Sequence, residues 1–169
     1  PAIFGLMQTL SLDRGLRLLA QKEFQAVHAN CISTIKKDIK SAVAYFLLGV
    51  IADEHGNHDK AVELFRTAES YDGSEPHYPA YLAKTLSTLR RQNEAKAAAD
   101  RASLVIGNNA YLIDSVAVVY SRAGFHEDAI VLFKRALELE NGQANMHYNL
   151  GASAQFVGDF DLAARSYRA

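Results

Sequence analysis

The sequence predicts an all-α solenoid built from antiparallel helix pairs. Three observations predict it. Segments beginning at Gln8, Ala42, Pro76, Ala110 and Ala144 repeat one pattern at a spacing of 34 residues. Small residues recur at fixed places inside them. The eighth place reads Gly15, Gly49, Ala83, Ala117 and Gly151; the twentieth reads Val27, Ala61, Ala95, Ala129 and Ala163; the twenty-seventh reads Thr34, Ala68, Ala102 and Ala136. Glycine stands at the fifteenth place three times, as Gly56, Gly124 and Gly158. Small side chains at fixed helical offsets mark close approach of helices, and internal repetition of this kind is the sequence signature of a solenoid.

Each repeat reads as two helices. First helices are expected at about 8–21, 42–55, 76–89, 110–123 and 144–157, and second helices at about 24–37, 58–71, 92–105, 126–140 and 160–169. An N-terminal segment, 1–7, precedes the array. The first repeat, 8–41, is degenerate: Arg14 stands at the seventh place, where the others carry Leu48, Leu82, Val116 and Leu150. The second, 42–75, is the most regular, with Tyr45-Phe46-Leu47-Leu48-Gly49 followed by Ala61, Phe65 and Ala68. In the third, 76–109, Pro76 opens a helix where its missing N–H costs nothing, and Ala99 replaces the ring at the twenty-fourth place. The fourth, 110–143, follows the chain break Gly107-Asn108-Asn109. The fifth, 144–169, carries Tyr148-Asn149-Leu150-Gly151, Phe160, Ala163 and Tyr167 and is truncated. The chain begins without methionine and ends in mid-helix, so it is read as a fragment of a longer protein.

These residues resemble the tetratricopeptide repeat, a helix-turn-helix unit of the same period. The resemblance spans residues 8–169 in register and implies a right-handed superhelix whose concave face is lined by first helices. The chain departs from the family pattern at Arg14, Thr34, Pro79 and Ala99, and Gly73, Gly107 and Asn141 replace the closing proline. More distantly, 45–56 with 60–65, 118–124 and 147–153 look like the repeat region of bacterial tetratricopeptide-sulfotransferase proteins. That likeness implies a catalytic domain beyond Ala169 and no catalytic residue on this chain.

Composition narrows the function. Net charge is −1, with 22% charged and 49% hydrophobic residues, so no broad field attracts nucleic acid or an anionic membrane surface. No apolar run reaches the roughly 18 residues of a membrane helix. The single cysteine, Cys31, allows no internal disulfide, reads as a buried small hydrophobe and fits a cytoplasmic location. Six histidines raise a metal reading, but His55 and His58 flank a glycine turn, and His58 and His126 share a repeat place filled by Phe24 and Phe160 elsewhere. No metal, cofactor or catalytic constellation is expected.

Helical geometry, about 100° per residue, places the second, sixth, ninth and thirteenth residues of each first helix opposite the core. Along the later repeats these positions and their flanks give His77, Tyr81, Lys84, Tyr111, Asp114, Arg122, Asn145, Tyr148 and Asn149, which read as a peptide-binding groove. Tyrosine supplies contact area with a hydroxyl, and asparagine can pair with an extended backbone. In the second repeat the same positions give an apolar concave patch of Val43, Phe46, Leu47 and Val50. Such a patch calls for a cover: a partner, a second copy of the chain, or the N-terminal Ile3, Phe4 and Leu6, the last being preferred.

The resulting expectation is a scaffold that binds a peptide or protein segment. Neither nucleic-acid binding nor membrane insertion is expected. A homo-oligomer through the apolar patch or the truncated C-terminal helix is a third reading, after the repeat region of a larger enzyme.

Overall fold

A computed structural model describes residues 10–140 and 143–169. They contain ten α-helices and no strand. The chain divides between Ser74 and Glu75 into two compact units.

The first unit holds α1 (Leu12–Ala20), α2 (Phe24–Lys37), α3 (Ala42–Glu54) and α4 (His58–Tyr71). The second holds α5 (His77–Thr88), α6 (Gln92–Val105), α7 (Ala110–Arg122), α8 (His126–Leu139), α9 (Ala144–Phe156) and α10 (Phe160–Ser166). The expected bounds hold to a residue or two except at the two ends. Helix α1 starts at Leu12, capped by Ser11, whose hydroxyl accepts the Arg14 N–H at 3.4 Å. Helix α10 stops at Ser166. The expected N-terminal cover, 1–7, lies outside the described residues.

The small-residue places are the close approaches. Ala61, Ala95 and Ala129 at the twentieth place, and Ala68, Ala102 and Ala136 at the twenty-seventh, have no exposed surface. At the eighth place Gly49 and Gly151 face rings from the second half of the same pair. A Cβ on Gly49 would meet Phe65 Cε1 at 2.6 Å, and one on Gly151 would meet Tyr167 Cε1 at 2.7 Å.

The first pair is built differently. Its twenty-fourth place holds Cys31, which is wholly buried but too short to reach across as a ring does. The space over Gly15 is filled instead by Leu47 of α3, whose Cδ1 and Cδ2 lie where a Cβ on Gly15 would project.

That packing corrects the expected apolar patch. Phe46 and Leu47 have no exposed surface and Val50 retains 7%, so they belong to the core; only Val43 is half-buried. Leu47 is drawn in by the missing side chain at Gly15, and Phe46 lies against Phe65, ring centroids 5.5 Å apart. Side-chain spacing alone placed Leu47 outward, but the space opened by Gly15 and Cys31 decides otherwise.

The turn inside each pair is also uniform. Its left-handed residue is Gly56, Gly124 or Gly158 in three pairs (φ +77°, +87° and +81°), but Lys22 and Arg90 adopt the same conformation (φ +64° and +58°) in the other two. The backbone demand persists where the sequence offers no glycine to signal it.

Candidate functional site

In the second unit, α5 and α7 lie side by side and enclose a cleft of about 210 Å³. Four of the expected groove residues line it: Lys84 from α5, and Tyr111, Asp114 and Arg122 from α7. Ser87, Ser115, Val118 and Val119 complete the wall. Lys84 and Arg122 are exposed at the rim, and Tyr111 is 52% exposed.

Helix spacing explains the arrangement. Lys84 and Ser87 are three residues apart on α5, so they share a face, as do Tyr111, Asp114, Ser115, Val118 and Arg122 on α7. Helix α7 is held at its start by Asn109, whose side-chain oxygen accepts the Leu112 N–H at 3.0 Å. Val116, Ala117 and Ile113 on its other side are fully buried, which fixes the rotation of the helix.

Asp114 is the unusual member. It is 8% exposed, and its Oδ1 makes no hydrogen bond. Burial raises its carboxyl above the usual aspartate range, partly offset by a side-chain hydrogen bond from Asn149 on α9. Ser87 is 5% exposed, and its hydroxyl is likewise without a partner. A buried polar atom left unpaired costs about 1–3 kcal/mol, so two along one cleft wall are a notable expense.

The other expected groove residues fall around this cleft. The His77 and Tyr81 rings lie tilted along α5, centroids 6.4 Å apart, and Lys84 Nζ sits 5.9 Å from the Tyr81 ring centroid. His77 Nδ1 is 2.5 Å from Glu75 Oε1. Asn149 joins the site through Asp114. Asn145 and Tyr148 are exposed on α9 but do not line the cleft. Tyr148 lies 5.7 Å from Tyr167 between ring centroids. Sequence reasoning missed Ser87, although its position three residues after Lys84 is the signal that could have found it.

A second hollow in this unit, of about 430 Å³, is lined by residues of α6, α7 and α8. Here Tyr120 donates its O–H to Asp100 Oδ1 at 2.7 Å, and Lys96 Nζ bonds both Asp100 oxygens at 2.9 and 3.0 Å. Lys96 also sits 4.8 Å from the Phe125 ring centroid. Burial pushes the Asp100 carboxyl up, but the bonds from Lys96 and Tyr120 and the charges of Lys96 and Arg101 outweigh it and hold it low. Burial, with the nearby Asp100 carboxylate, pushes the Tyr120 phenol up to about 12.

His126 and His58 make local contacts. His126 stacks flat on Phe156, centroids 4.3 Å apart, and His58 Nδ1 is 2.8 Å from Asp53 Oδ1. No described helix is long and apolar enough to cross a membrane.

A helix-pair array with small residues at each crossing and a cleft between neighbouring first helices defines the class as a tetratricopeptide-repeat fold. Residues 42–75 match the family model of the tetratricopeptide repeat, so the second repeat is a member of that family by sequence, and the array shares its fold. Solved structures agree. The structure of MamA superposes with a TM-score of 0.75 at 18% identity, covering 94% of this chain and 93% of that one. PilF of Pseudomonas aeruginosa gives 0.77 at 18% identity, covering 93% and 72%. YrrB, described as a tetratricopeptide-repeat protein with an unusual peptide-binding site, gives 0.72 at 18% identity, covering 92% and 80%. No curated protein matches the sequence.

Proposed function

We propose that this chain is a protein-interaction scaffold and that the first-helix face of its second unit binds an extended peptide or a segment of a partner protein. The observation that carries this reading is the cleft between α5 and α7, with Lys84, Tyr111 and Arg122 displayed at its edge and Asp114 inside. An exposed tyrosine beside two exposed cations is the composition of an interaction hot spot rather than of an inert surface. YrrB, which shares the fold, is described as having a peptide-binding site, and this supports peptide binding as the reading here.

The test is affinity capture from a cell lysate followed by mass spectrometry. The native chain is compared with a Tyr111→Ala, Lys84→Glu, Arg122→Glu variant shown by its thermal melt to be folded. A partner held by the native chain and weakened roughly tenfold or more in the variant supports the groove. Identical partner lists move the interaction to another face.

A further inference from the structure

Independently of the α5–α7 groove, the second-helix side of the same unit carries a surface of its own. Helices α6 and α8 flank the hollow of about 430 Å³, with Tyr120 of α7 between them. That volume falls within the roughly 300–1,000 Å³ of a binding pocket. Lys96, Asp100 and Ser103 line one wall at helical spacing, and Asp128, Val131 and Leu132 line the other. Arg135, seven residues after Asp128 on the same side of α8, reaches across to the α6–α7 turn and donates to the Gly107 carbonyl and Asn108 Oδ1.

Two features of the lining select a ligand. The polar groups of the floor already bond within the chain: Lys96 bonds both oxygens of Asp100, Tyr120 donates to Asp100, and Ser103 donates to the Ala99 carbonyl. An extended peptide needs partners for its main chain and finds few here. A helix bonds its main chain internally and presents side chains alone. The second feature is an apolar wall with an acidic edge. Val131 is 66% exposed, and Leu104, four residues beyond Asp100 on α6, is 85% exposed. Asp128 is exposed and in no ion pair among the described residues. Lys96 is matched by Asp100, so Asp128 is the uncompensated charge of the lining. Its field crosses the hollow: burial is the main cause of the raised Tyr120 phenol, and the carboxylates of Asp100 and Asp128 add to it.

Apolar side chains this exposed beside an open hollow mark an interface. An apolar side chain of a partner can fill the space against Val131 and Leu132, and a cation one turn away can pair with Asp128. An acidic helix would meet a like charge there. We propose that the α6–α8 furrow docks an amphipathic helix of a partner protein, an apolar side chain seated against Val131 and Leu132 and a lysine or arginine one turn away paired with Asp128.

The probe is a displayed library of alanine-rich helical peptides randomised along one face and selected on the native chain. Enriched helices are measured against native, Val131→Glu, Asp128→Asn and Tyr111→Ala proteins, each checked by thermal melt, and the selection is repeated on Asp128→Lys. Val131 is exposed, so its replacement spares the core. The expected result is enrichment of a large apolar residue with lysine or arginine three or four positions away. Binding should weaken about tenfold in Val131→Glu and about threefold in Asp128→Asn, and stay within about twofold of native in Tyr111→Ala. Selection on Asp128→Lys should enrich glutamate or aspartate in place of the cation. Failure to enrich any helix, helices bound equally by Val131→Glu, or a cation preference unchanged on Asp128→Lys overturns the proposal and leaves the α5–α7 groove standing. Helices lost instead in Tyr111→Ala belong to the first-helix face; they support that groove and overturn the furrow.

Discussion

The two hollows of the second unit are lined by nearly the same residue types. One holds Lys84, Ser87, Tyr111 and Asp114, and the other Lys96, Asp100, Ser103 and Tyr120. In the second, the acid and the lysine are four residues apart on α6, so they meet, and the tyrosine from α7 closes the network onto the acid. In the first, the lysine is on α5 and the acid on α7, and the acid's free oxygen and the serine have no partner. One hollow is therefore complete as it stands, whereas the other carries unused bonding capacity. Chemical composition does not distinguish a satisfied network from an unsatisfied one; the distribution of the charges over helices does.

Substitutions should break this contrast in opposite directions. The largest effect is expected from Tyr120→Phe. It removes the O–H donated to Asp100 and should cost about 1–2 kcal/mol of stability, read as a lowered Tm in thermal denaturation; Asp100 is about half exposed, which moderates the loss. A Tm equal to native would mean that the α6–α7 network contributes nothing measurable.

Asp114→Asn should act the other way and stabilise the fold by about 1 kcal/mol at pH 7. The sign follows from linkage. The Asp114 carboxyl is raised by burial above its ordinary 3.8, so the folded state holds this proton more tightly than the unfolded state does. Native stability at this site is full below about 3.8 and is lost as pH rises through the folded value. The gain from asparagine should thus be present at neutral pH and disappear in melts near pH 3. A gain that is independent of pH would place its cause elsewhere.

The smallest effect is expected from Ser87→Ala. Deleting an unpaired buried hydroxyl should leave Tm unchanged or raise it, by about 0–1 kcal/mol. A clear destabilisation would show that the hydroxyl has a bonding role in the folded chain.

Much of the architecture was legible because it rests on absolute requirements. Ala61, Ala95 and Ala129 sit where helices touch, and a larger side chain there has nowhere to go, so their recurrence reports the fold directly. What escaped depends on context. Lys22 and Arg90 adopt left-handed conformations that nothing in their side chains announces. Leu47 was expected at the groove because its helical phase points there. Its burial depends on how much space Gly15 and Cys31 leave, which no single repeat contains. The candidate site was legible in part. Tyr111, Lys84 and Arg122 stand out as large polar groups on the outward phase of their helices. Ser87 is inconspicuous in a helix until the missing partner of its hydroxyl is seen.

The filling of Gly15 by Leu47 has a consequence for the order in which the chain acquires structure. As the polypeptide emerges during synthesis, α1 and α2 are complete before α3 exists, yet the side chain that seals their crossing is still unmade. The pairs that hold Phe65 or Tyr167 carry their own seal and can close as soon as their second helix forms. The first pair therefore borrows its closure from the next: until Leu47 has left the ribosome and docked, the α1–α2 crossing keeps an open space over Gly15.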